Sequence, residues 1–326
     1  MSSPLISVER LSLHFPLRGG WLRRPSGIVK AVDDVSFDIA RGETLGLVGE
    51  SGCGKSSTGR ALLRLARPTS GRVRFEGRDL GDLNPKEQRA VRRDLQMIFQ
   101  SPLSSLNPRL SIGKAIREPL DIHRIGKASE REARVRELLT LVGLDGSAAA
   151  RYPHEFSGGQ RQRIGIARAL VTSPKFVVAD EPLSALDVSI RAQVVNLMRD
   201  LKDQLGLTYL VVAHDLAMVR HMADRVAVMY LGRIVEIAPS DDLFDHPRHP
   251  YTKALLSAIP APDPDVERQR MRIVLQGDLP SAAHLPSGCR FRTRCPVATS
   301  RCAEEDPQLR EVNDSGTSHT VACHYA

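Results

Sequence analysis

A glycine-rich stretch that ends in lysine and serine is the strongest chemical signal in the sequence. It follows the apolar residues 44–48 and precedes residues 57–65, whose pattern is that of a helix. Its glycines let the backbone turn tightly and aim N–H groups at phosphate oxygens, beside a helix N-terminus whose dipole favours an anion. We therefore expect this stretch to bind a nucleoside triphosphate. The candidate binding residues are Gly49, Glu50, Ser51, Gly52, Cys53, Gly54, Lys55, Ser56 and Ser57.

Three side chains of this loop have different expected roles. Lys55 is expected to reach the outer phosphates, and the Ser56 hydroxyl is suited to Mg²⁺. Cys53 is expected to be a small side chain in a crowded loop and not a redox centre. The loop thus predicts a site for a nucleotide and its magnesium ion.

A second signal is a pair of carboxylates, Asp180 and Glu181, which follows the apolar residues 176–179. In α/β sheets, ligands bind outside the carboxyl ends of the strands. Asp180 is suited to hold Mg²⁺, and Glu181 is suited to polarise the water that attacks the γ-phosphate. The alternative for an Asp-Glu-Pro sequence is a helix start with acidic residues. Because the chain also contains the phosphate loop, a role of these carboxylates in triphosphate hydrolysis is favoured over a helix start.

A third motif opens a helix that carries an apolar side. The motif residues are Ser157, Gly158, Gly159 and Gln160. Over residues 5–237, the phosphate loop, the carboxylate pair and this motif together resemble the ATP-binding cassette family, which carries the motif as its signature. The resemblance implies that the signature helix binds the γ-phosphate of ATP held by an opposite subunit, so that one chain alone completes neither site.

The same resemblance assigns roles to further residues. It implies that Gln100 senses Mg²⁺ and the attacking water, that Asp187 lies in a loop crossing the dimer interface, and that His214 contacts the γ-phosphate. It also implies an aromatic ring against adenine, for which Phe15 is the candidate and Trp21 the alternative. The candidate catalytic residues are therefore Glu181, His214 and Gln100, and the candidate magnesium ligands are Ser56, Gln100 and Asp180.

Two further segments resemble one branch of the family. Residues 100–109 and 249–253 are similar to the ATPase subunits of bacterial dipeptide and oligopeptide importers, a group that includes nickel importers. Residues 152–156, 186–189 and 286–296 make the second oligopeptide ATPase subunit the most similar type. This implies a heterodimer with a sister ATPase, two membrane permeases, an external binding protein, and a place at the cytoplasmic face of the inner membrane. Nickel or another small solute remains an alternative to peptides.

Four of the five cysteines lie near the end of the chain, at Cys289, Cys295, Cys302 and Cys323. Disulfides are rare in cytosolic proteins, and four thiolates suit a metal, for which zinc is the default. The importer resemblance implies a [4Fe–4S] cluster instead, and reduced cysteines in a small core are the third possibility. Four arginines are available to offset the charge of a cluster: Arg290, Arg292, Arg294 and Arg301. Four histidines are expected to be surface or packing residues and not ligands: His249, His284, His319 and His324.

The composition limits the function classes. With 41% hydrophobic and 26% charged residues, the chain has the composition of a soluble globular protein, and no apolar run approaches the roughly 18 residues of a spanning helix. The N-terminus shows no secretory signal, so we expect a cytoplasmic protein. The net charge of +8 suits an anionic membrane surface, a nucleic acid, or simply an arginine-rich host composition.

Nucleic acid is the weaker of these two partners. Aromatic residues make up only 4% of the chain, and no zinc finger or aromatic RNA-binding motif is present. A soluble cassette ATPase acting on nucleic acid or ribosomes would carry two cassettes or long coiled coils, whereas this sequence has one phosphate loop. A protein that binds ATP only for regulation is disfavoured by Glu181 and His214.

These residues require a scaffold of strands and helices. Strands are expected at 5–15 and 31–39 around a loop at 16–30, and buried strands at 175–180 and 208–214 flank a helix at 188–205. This alternation predicts an α/β fold of the cassette type, with a mainly parallel sheet and an antiparallel β layer. We expect an ATPase domain over 1–237, with a helical subdomain at about 101–172 broken by prolines, and a cysteine-containing domain over 238–326.

Overall fold

The computed structural model describes residues 3–19, 24–101, 106–184, 186–260, 264–269, 272–278, 280–312 and 318–326. Its strands are β1 Ile6–Gly19, β2 Arg24–Ile39, β3 Thr44–Val48, β4 Ser70–Phe75, β5 Arg78–Asp79, β6 Leu95–Ile98, β7 Phe176–Asp180, β8 Thr208–Ala213, β9 Arg225–Tyr230, β10 Arg233–Pro239, β11 Arg310–Glu311 and β12 Thr320–Val321. Its α-helices are Lys55–Leu62, Pro85–Val91, Ile112–His123, Ala128–Leu141, Gly158–Leu170, Val188–Leu205, Leu216–Met222, Ser240–Asp245, Pro250–Ser257, Pro264–Gln269 and Ser300–Glu304. Within the described ranges, no helix has both the length and the apolar character needed to span a bilayer.

The chain separates into two compact units. The first consists of Met1–Ser3, Ile39–Thr44 and Asp79–Val212, and the second of Pro4–Asp38, Leu45–Arg78 and Ala213–Ala326. The domain boundary expected near residue 238 remains a prediction.

The first unit contains the parallel strands β6, β7 and β8. β7 pairs with β6 from Leu95↔Phe176 and with β8 from Phe176↔Thr208. Every residue of β7 and β8 is buried, as expected for strands covered on both faces. Asp180 and Glu181 therefore lie at the carboxyl end of β7, which is the edge of the sheet where α/β proteins bind ligands.

Helices dominate the rest of the first unit. Gly206 ends the long helix Val188–Leu205 in the left-handed conformation, at φ 63°, as a C-terminal glycine commonly does. The helix Ile112–His123 continues through Pro119, so the expected break at this proline is wrong. Its buried face, which includes Ile116 and Leu120, holds the helix although proline lacks the N–H for one helical bond.

The second unit contains an antiparallel layer in the strand order β2-β1-β4-β5. The expected loop over residues 16–30 is wrong at residues 16–19 and 24–30, because β1 continues to Gly19 and β2 begins at Arg24, while residues 20–23 lie outside the described ranges. β1 pairs with β4 only from Ile6 to Ser12, so Pro16 lies beyond that ladder and its missing N–H costs no bond to β4. Pairing between strands thus overrides the local turn signals.

The second unit also carries the strands β11, β12, β10, β9 and β3, in that order. β3 and β9 are parallel from Leu45↔Arg225, whereas β9, β10, β12 and β11 pair antiparallel. Three aromatic rings pack beside this sheet, with centroid distances of 4.7 Å for Tyr230 and Tyr251, 5.3 Å for Tyr230 and Phe291, and 5.4 Å for Tyr251 and Phe291. This cluster joins C-terminal residues to the core that supports the phosphate loop.

Candidate functional site

The phosphate loop of the second unit has a backbone that only glycine permits at two positions. Gly49 has φ 150° and Gly54 has φ 109°. A Cβ on Gly49 would lie 2.2 Å from the Met229 carbonyl oxygen, and one on Gly54 would lie 2.0 Å from the Ala31 carbonyl oxygen. Gly54 is also the N-cap of the helix Lys55–Leu62. The loop therefore turns tightly into a helix N-terminus, which is the geometry that cradles phosphate.

Lys55 is buried at the centre of this loop. Its Nζ donates to the carbonyl oxygens of Gly49 at 2.7 Å and Glu50 at 2.9 Å. The neighbouring Cys53 is also buried, and burial raises the pKa of its thiol although Lys55 opposes this effect. A thiol that stays protonated is a poor nucleophile, which agrees with the expected role of Cys53 as a small side chain.

Glu50 is held by two groups from the C-terminal part of the second unit. Arg294 donates from Nη1 to Glu50 Oε2 at 2.7 Å and from Nη2 to Glu50 Oε1 at 3.1 Å. The Glu50 N–H donates to the Tyr251 hydroxyl at 2.8 Å. The side chain and the backbone of one loop residue are thus fixed separately.

A buried polar network supports Tyr251 from behind. Its N–H donates to His249 Nδ1 at 3.0 Å, and the His249 N–H donates to the Glu236 carboxylate at 3.1 Å. His319 Nε2 lies 2.7 Å from the same carboxylate. Burial lowers the pKa of His249 to about 4, against an opposing effect of Glu236. His249 and His319 are packing residues, as the sequence predicted.

The first unit brings Gln100 and Glu181 together. Gln100 Nε2 donates to Glu181 Oε2 at 2.8 Å, across 81 residues of sequence. Glu181 has φ 45°, a conformation that is uncommon for residues other than glycine. Its N–H donates to the Val212 carbonyl oxygen at 2.9 Å, which helps to hold that conformation. Asp180 directly precedes it and is buried.

The signature motif forms a capped helix start in the same unit. Ser157 Oγ accepts from the Gln160 N–H at 3.3 Å, and Gln160 Oε1 accepts from the Ser157 N–H at 3.0 Å. This reciprocal pair is a capping box, which fixes the first turn of the helix. Ser157, Gly158 and Gln160 are exposed, so the helix start faces outward from its unit.

The remaining candidates lie at separate places. His214 follows β8 and is exposed, and Asp187 is the exposed N-cap of the helix Val188–Leu205. Phe15, the candidate for adenine, lies on β1 with 45% of its surface exposed. Its alternative, Trp21, lies outside the described residues. Lys55 and His214 thus belong to the second unit, and the other catalytic candidates to the first.

The cysteine region of the second unit is tied together by several short contacts. The Cys289 N–H donates to the Cys302 carbonyl oxygen at 2.8 Å, and the Thr299 and Tyr325 hydroxyls lie 2.6 Å apart. Burial raises the pKa of the Cys289 thiol to about 11, with Cys302 among the smaller contributors. Among the described side chains, no three His, Cys, Asp or Glu residues are placed to hold a metal ion.

The arginines expected to offset a cluster's charge bond elsewhere. Arg290 pairs with Asp33, Arg294 with Glu50, Arg301 with Glu305, and Arg292 donates to the Ser287 carbonyl oxygen. Sequence reasoning missed the contacts of Arg294 and Tyr251 with the phosphate loop. Both residues lie in segments that resemble peptide importers. That resemblance does not predict a contact with Glu50, which is more than 200 residues away in the sequence.

Two segments of the chain match families of known proteins. Residues 32–184 match the family model for ABC transporters, and residues 235–302 match the one for the oligopeptide/dipeptide transporter C-terminal region. The chain is 52% identical to the oligopeptide transport ATP-binding protein AppF of Bacillus subtilis (strain 168), over 98% of this chain and 97% of AppF.

Solved structures show the same likeness. The dimeric, post-hydrolysis ATP-binding cassette MJ0796 bound to ADP and Pi is 28% identical, with a TM-score of 0.64 over 72% of this chain and 98% of that one. The protein cbiO1 of Clostridium perfringens, part of the ABC transporter complex cbiONQ, is 25% identical, with a TM-score of 0.65 over 75% of this chain and 92% of that one. Both likenesses agree with the cassette fold predicted from the sequence.

Proposed function

The chain belongs to the ATP-binding cassette family as the ATP-hydrolysing subunit of a peptide importer, and from this premise we propose how its residues divide the work. Lys55 and the N–H groups of residues 49–57 bind the phosphates of ATP. Glu181 takes the proton of the attacking water, and Gln100 orients that water. The observation that carries this proposal is the 2.8 Å hydrogen bond that aligns the Gln100 amide with the Glu181 carboxylate.

Magnesium fits the oxygen atoms that this chain offers. Ser56 supplies a hydroxyl, Gln100 an amide oxygen and Asp180 a carboxylate, and Mg²⁺ prefers such ligands together with water and phosphate oxygens. When bound, Mg²⁺ neutralises charge that develops on the phosphates. We assign to His214 the contact with the γ-phosphate, and to Phe15 the stacking against adenine.

The exposed signature helix supports a two-subunit site. Ser157, Gly158, Gly159 and Gln160 form a helix start that is preorganised by its capping box and largely exposed. We assign it to the γ-phosphate held by a sister ATPase, with Asp187 in the interface between the two subunits. The similar cassette MJ0796 is dimeric, which supports this arrangement.

The importer needs permease subunits in the membrane and a substrate-binding protein, so this ATPase subunit is membrane-associated. We propose that it docks two permeases at the cytoplasmic face of the inner membrane. Its solutes would include dipeptides as well as longer peptides, since the C-terminal family model covers both.

The direct test is transport by the reconstituted assembly. Vesicles would carry the two permeases, this chain and its sister ATPase, with the binding protein and a labelled peptide outside. We expect ATP inside the vesicles to drive peptide uptake, and Lys55→Ala to abolish both uptake and hydrolysis. Hydrolysis without uptake of any peptide, or uptake of Ni²⁺ alone, would overturn the proposed solute.

We propose that residues 238–326 form a module in which the four C-terminal cysteines hold a [4Fe–4S] cluster. The contacts that join Cys289 to Cys302, and Thr299 to Tyr325, support a grouped set of thiols. Among the described side chains these cysteines do not form a metal-binding group, so holding the cluster would require a different arrangement of them. Anaerobic protein should contain iron and sulfide in equal amounts and lose both when Cys289 is replaced by Ser. Zinc without iron would make this a zinc site, and neither metal would remove the proposal.

A further inference from the structure

One acidic residue of the phosphate loop is clamped by the C-terminal part of the chain. The Arg294 guanidinium forms a two-pronged hydrogen bond with the Glu50 carboxylate, at 2.7 and 3.1 Å. We propose that Arg294 is a positioning residue for the phosphate loop, which neutralises Glu50 and turns it away from incoming triphosphate. This inference rests on the proposed binding of ATP by residues 49–57.

Glu50 places a negative charge inside the phosphate loop. It is the second residue of a loop expected to bind a strongly anionic ligand, so its carboxylate would repel that ligand if it were left unpaired. Arg294 is always protonated, and its planar fork matches a carboxylate in both charge and shape. The hydrogen bonds to Glu50 hold the pKa of Arg294 above its usual range.

Packing also holds Arg294 in place beside the loop. Only 10% of the Arg294 side chain is exposed. The backbone N–H of Arg294 donates to the Phe291 carbonyl oxygen at 3.0 Å. The Phe291 ring packs against Tyr251, whose hydroxyl accepts the Glu50 N–H. Arg294 and Tyr251 are thus held by the same packed group around Phe291, and both contact Glu50.

Arg294 connects the cysteine region to the phosphate loop. Arg294 directly precedes Cys295, so a change in that segment moves the group that neutralises the loop. The affinity for ATP therefore depends on residues that never touch the nucleotide. No described part of the loop other than Glu50 offers an acidic side chain for such control.

The test is a double-mutant cycle in the assembled complex of the full chain with its sister ATPase and permeases. Equilibrium binding of a non-hydrolysable ATP analogue is measured for Arg294→Gln, for Glu50→Gln and for the double variant. We expect Arg294→Gln to weaken binding about tenfold, because it leaves an unpaired carboxylate beside the phosphates. Adding Glu50→Gln should then restore most of the affinity, because it removes that carboxylate's charge.

A matched control lies two residues away. Among the described residues, the Arg292 guanidinium donates to Ser287, to its carbonyl oxygen at 2.9 Å and its hydroxyl at 3.3 Å. Arg292→Gln therefore removes one positive charge, as Arg294→Gln does, without removing a contact to the phosphate loop. We expect this variant to bind the analogue as the parent does. Equal losses in the two arginine variants would overturn the inference, because the effect would then be general to the segment.

The same experiment separates this inference from the proposed function. If the parent complex does not bind the analogue, the proposed nucleotide site is wrong. If the parent binds it but Arg294→Gln binds equally well, only the role of Arg294 is wrong. A double variant as weak as Arg294→Gln alone would show that the loss comes from structure and not from the charge of Glu50, which also overturns the inference.

Discussion

Gln100 and Glu181 form a hydrogen bond of 2.8 Å between residues that come from the ends of neighbouring parallel strands. β6 ends at Ile98 and β7 ends at Asp180, so the two side chains emerge at the same edge of the sheet. The amide N–H of Gln100 fixes the orientation of the Glu181 carboxylate. A carboxylate held in this way suits the proposed role of Glu181 as a general base.

Replacing Glu181 by Gln removes the carboxylate that we propose as the general base but keeps the size of the side chain. We expect kcat for ATP hydrolysis to fall by roughly 10²–10⁴, the range attributed to general bases, while ATP still binds. Phosphate release by the assembled transporter measures the rate, and nucleotide binding at equilibrium provides the control. Hydrolysis at the parent rate would show that Glu181 is not the base.

Two glycines of the signature helix offer a matched comparison. A Cβ on Gly159 would lie 2.6 Å from Ile190 Cγ2, whereas a Cβ on Gly165 would meet no atom within 4 Å. Gly165→Ala should be neutral or stabilise by up to about 1 kcal/mol, because alanine favours helix. Gly159→Ala should destabilise by about 1–3 kcal/mol, because a branched side chain has to move.

Urea unfolding of both variants measures this difference, and ATP hydrolysis by the assembled transporter should fall only for Gly159→Ala. Equal stability of the two variants would mean that the helix start is looser than its contact with Ile190 indicates.

Much of the scaffold could be predicted from local patterns. The run at 176–180 is apolar enough for a strand buried on both faces, and the helix Val188–Leu205 begins after Asp187 and ends before Gly206. Both features depend on neighbours in sequence, so sequence reasoning reached them. The loop expected over 16–30 was wrong at residues 16–19 and 24–30, because the strands there depend on pairing with neighbouring strands and not on their own residues.

The same limit applies to the site. The motif residues could be assigned from their types and spacing, because each motif is continuous in the chain. The clamp on Glu50 could not, because Tyr251 and Arg294 lie 201 and 244 residues away from it. Only packing of the C-terminal part beside β9 brings these groups to the loop, and no local pattern encodes that packing.

The Tyr251 hydroxyl gives a prediction for stability. Tyr251→Phe keeps the ring that packs against Tyr230 and Phe291 but removes the acceptor of the Glu50 N–H. We expect a loss of about 1–2 kcal/mol in the free energy of unfolding, because a partly buried N–H loses its partner. Urea unfolding measures the loss.

Tyr209→Phe is the control for this substitution. Its hydroxyl is buried and has no hydrogen-bond partner among the described residues. Removing it should leave stability unchanged or raise it slightly, since no bond is lost. If both substitutions cost the same, the hydrogen bond to Glu50 contributes nothing measurable.

His249 predicts how stability depends on pH. It is 1% exposed, and burial lowers its pKa to about 4, whereas an unfolded histidine titrates near 6.5. Between these values the unfolded chain binds a proton that the folded chain refuses, so this histidine costs stability as the pH falls from about 6.5 to 4. The full cost, reached below both values, is on the order of 3 kcal/mol.

His249→Asn isolates this effect, because an asparagine side-chain oxygen can accept the Tyr251 N–H as His249 Nδ1 does, without titrating. Urea unfolding of both proteins from pH 7 to 4.5 should show the parent losing stability relative to the variant by about 2 kcal/mol at pH 5. Glu236 and His319, which share the network, are present in both proteins, so their contributions largely cancel in the difference. Parallel stability curves over this range would show that His249 is protonated in the folded protein as readily as in the unfolded chain.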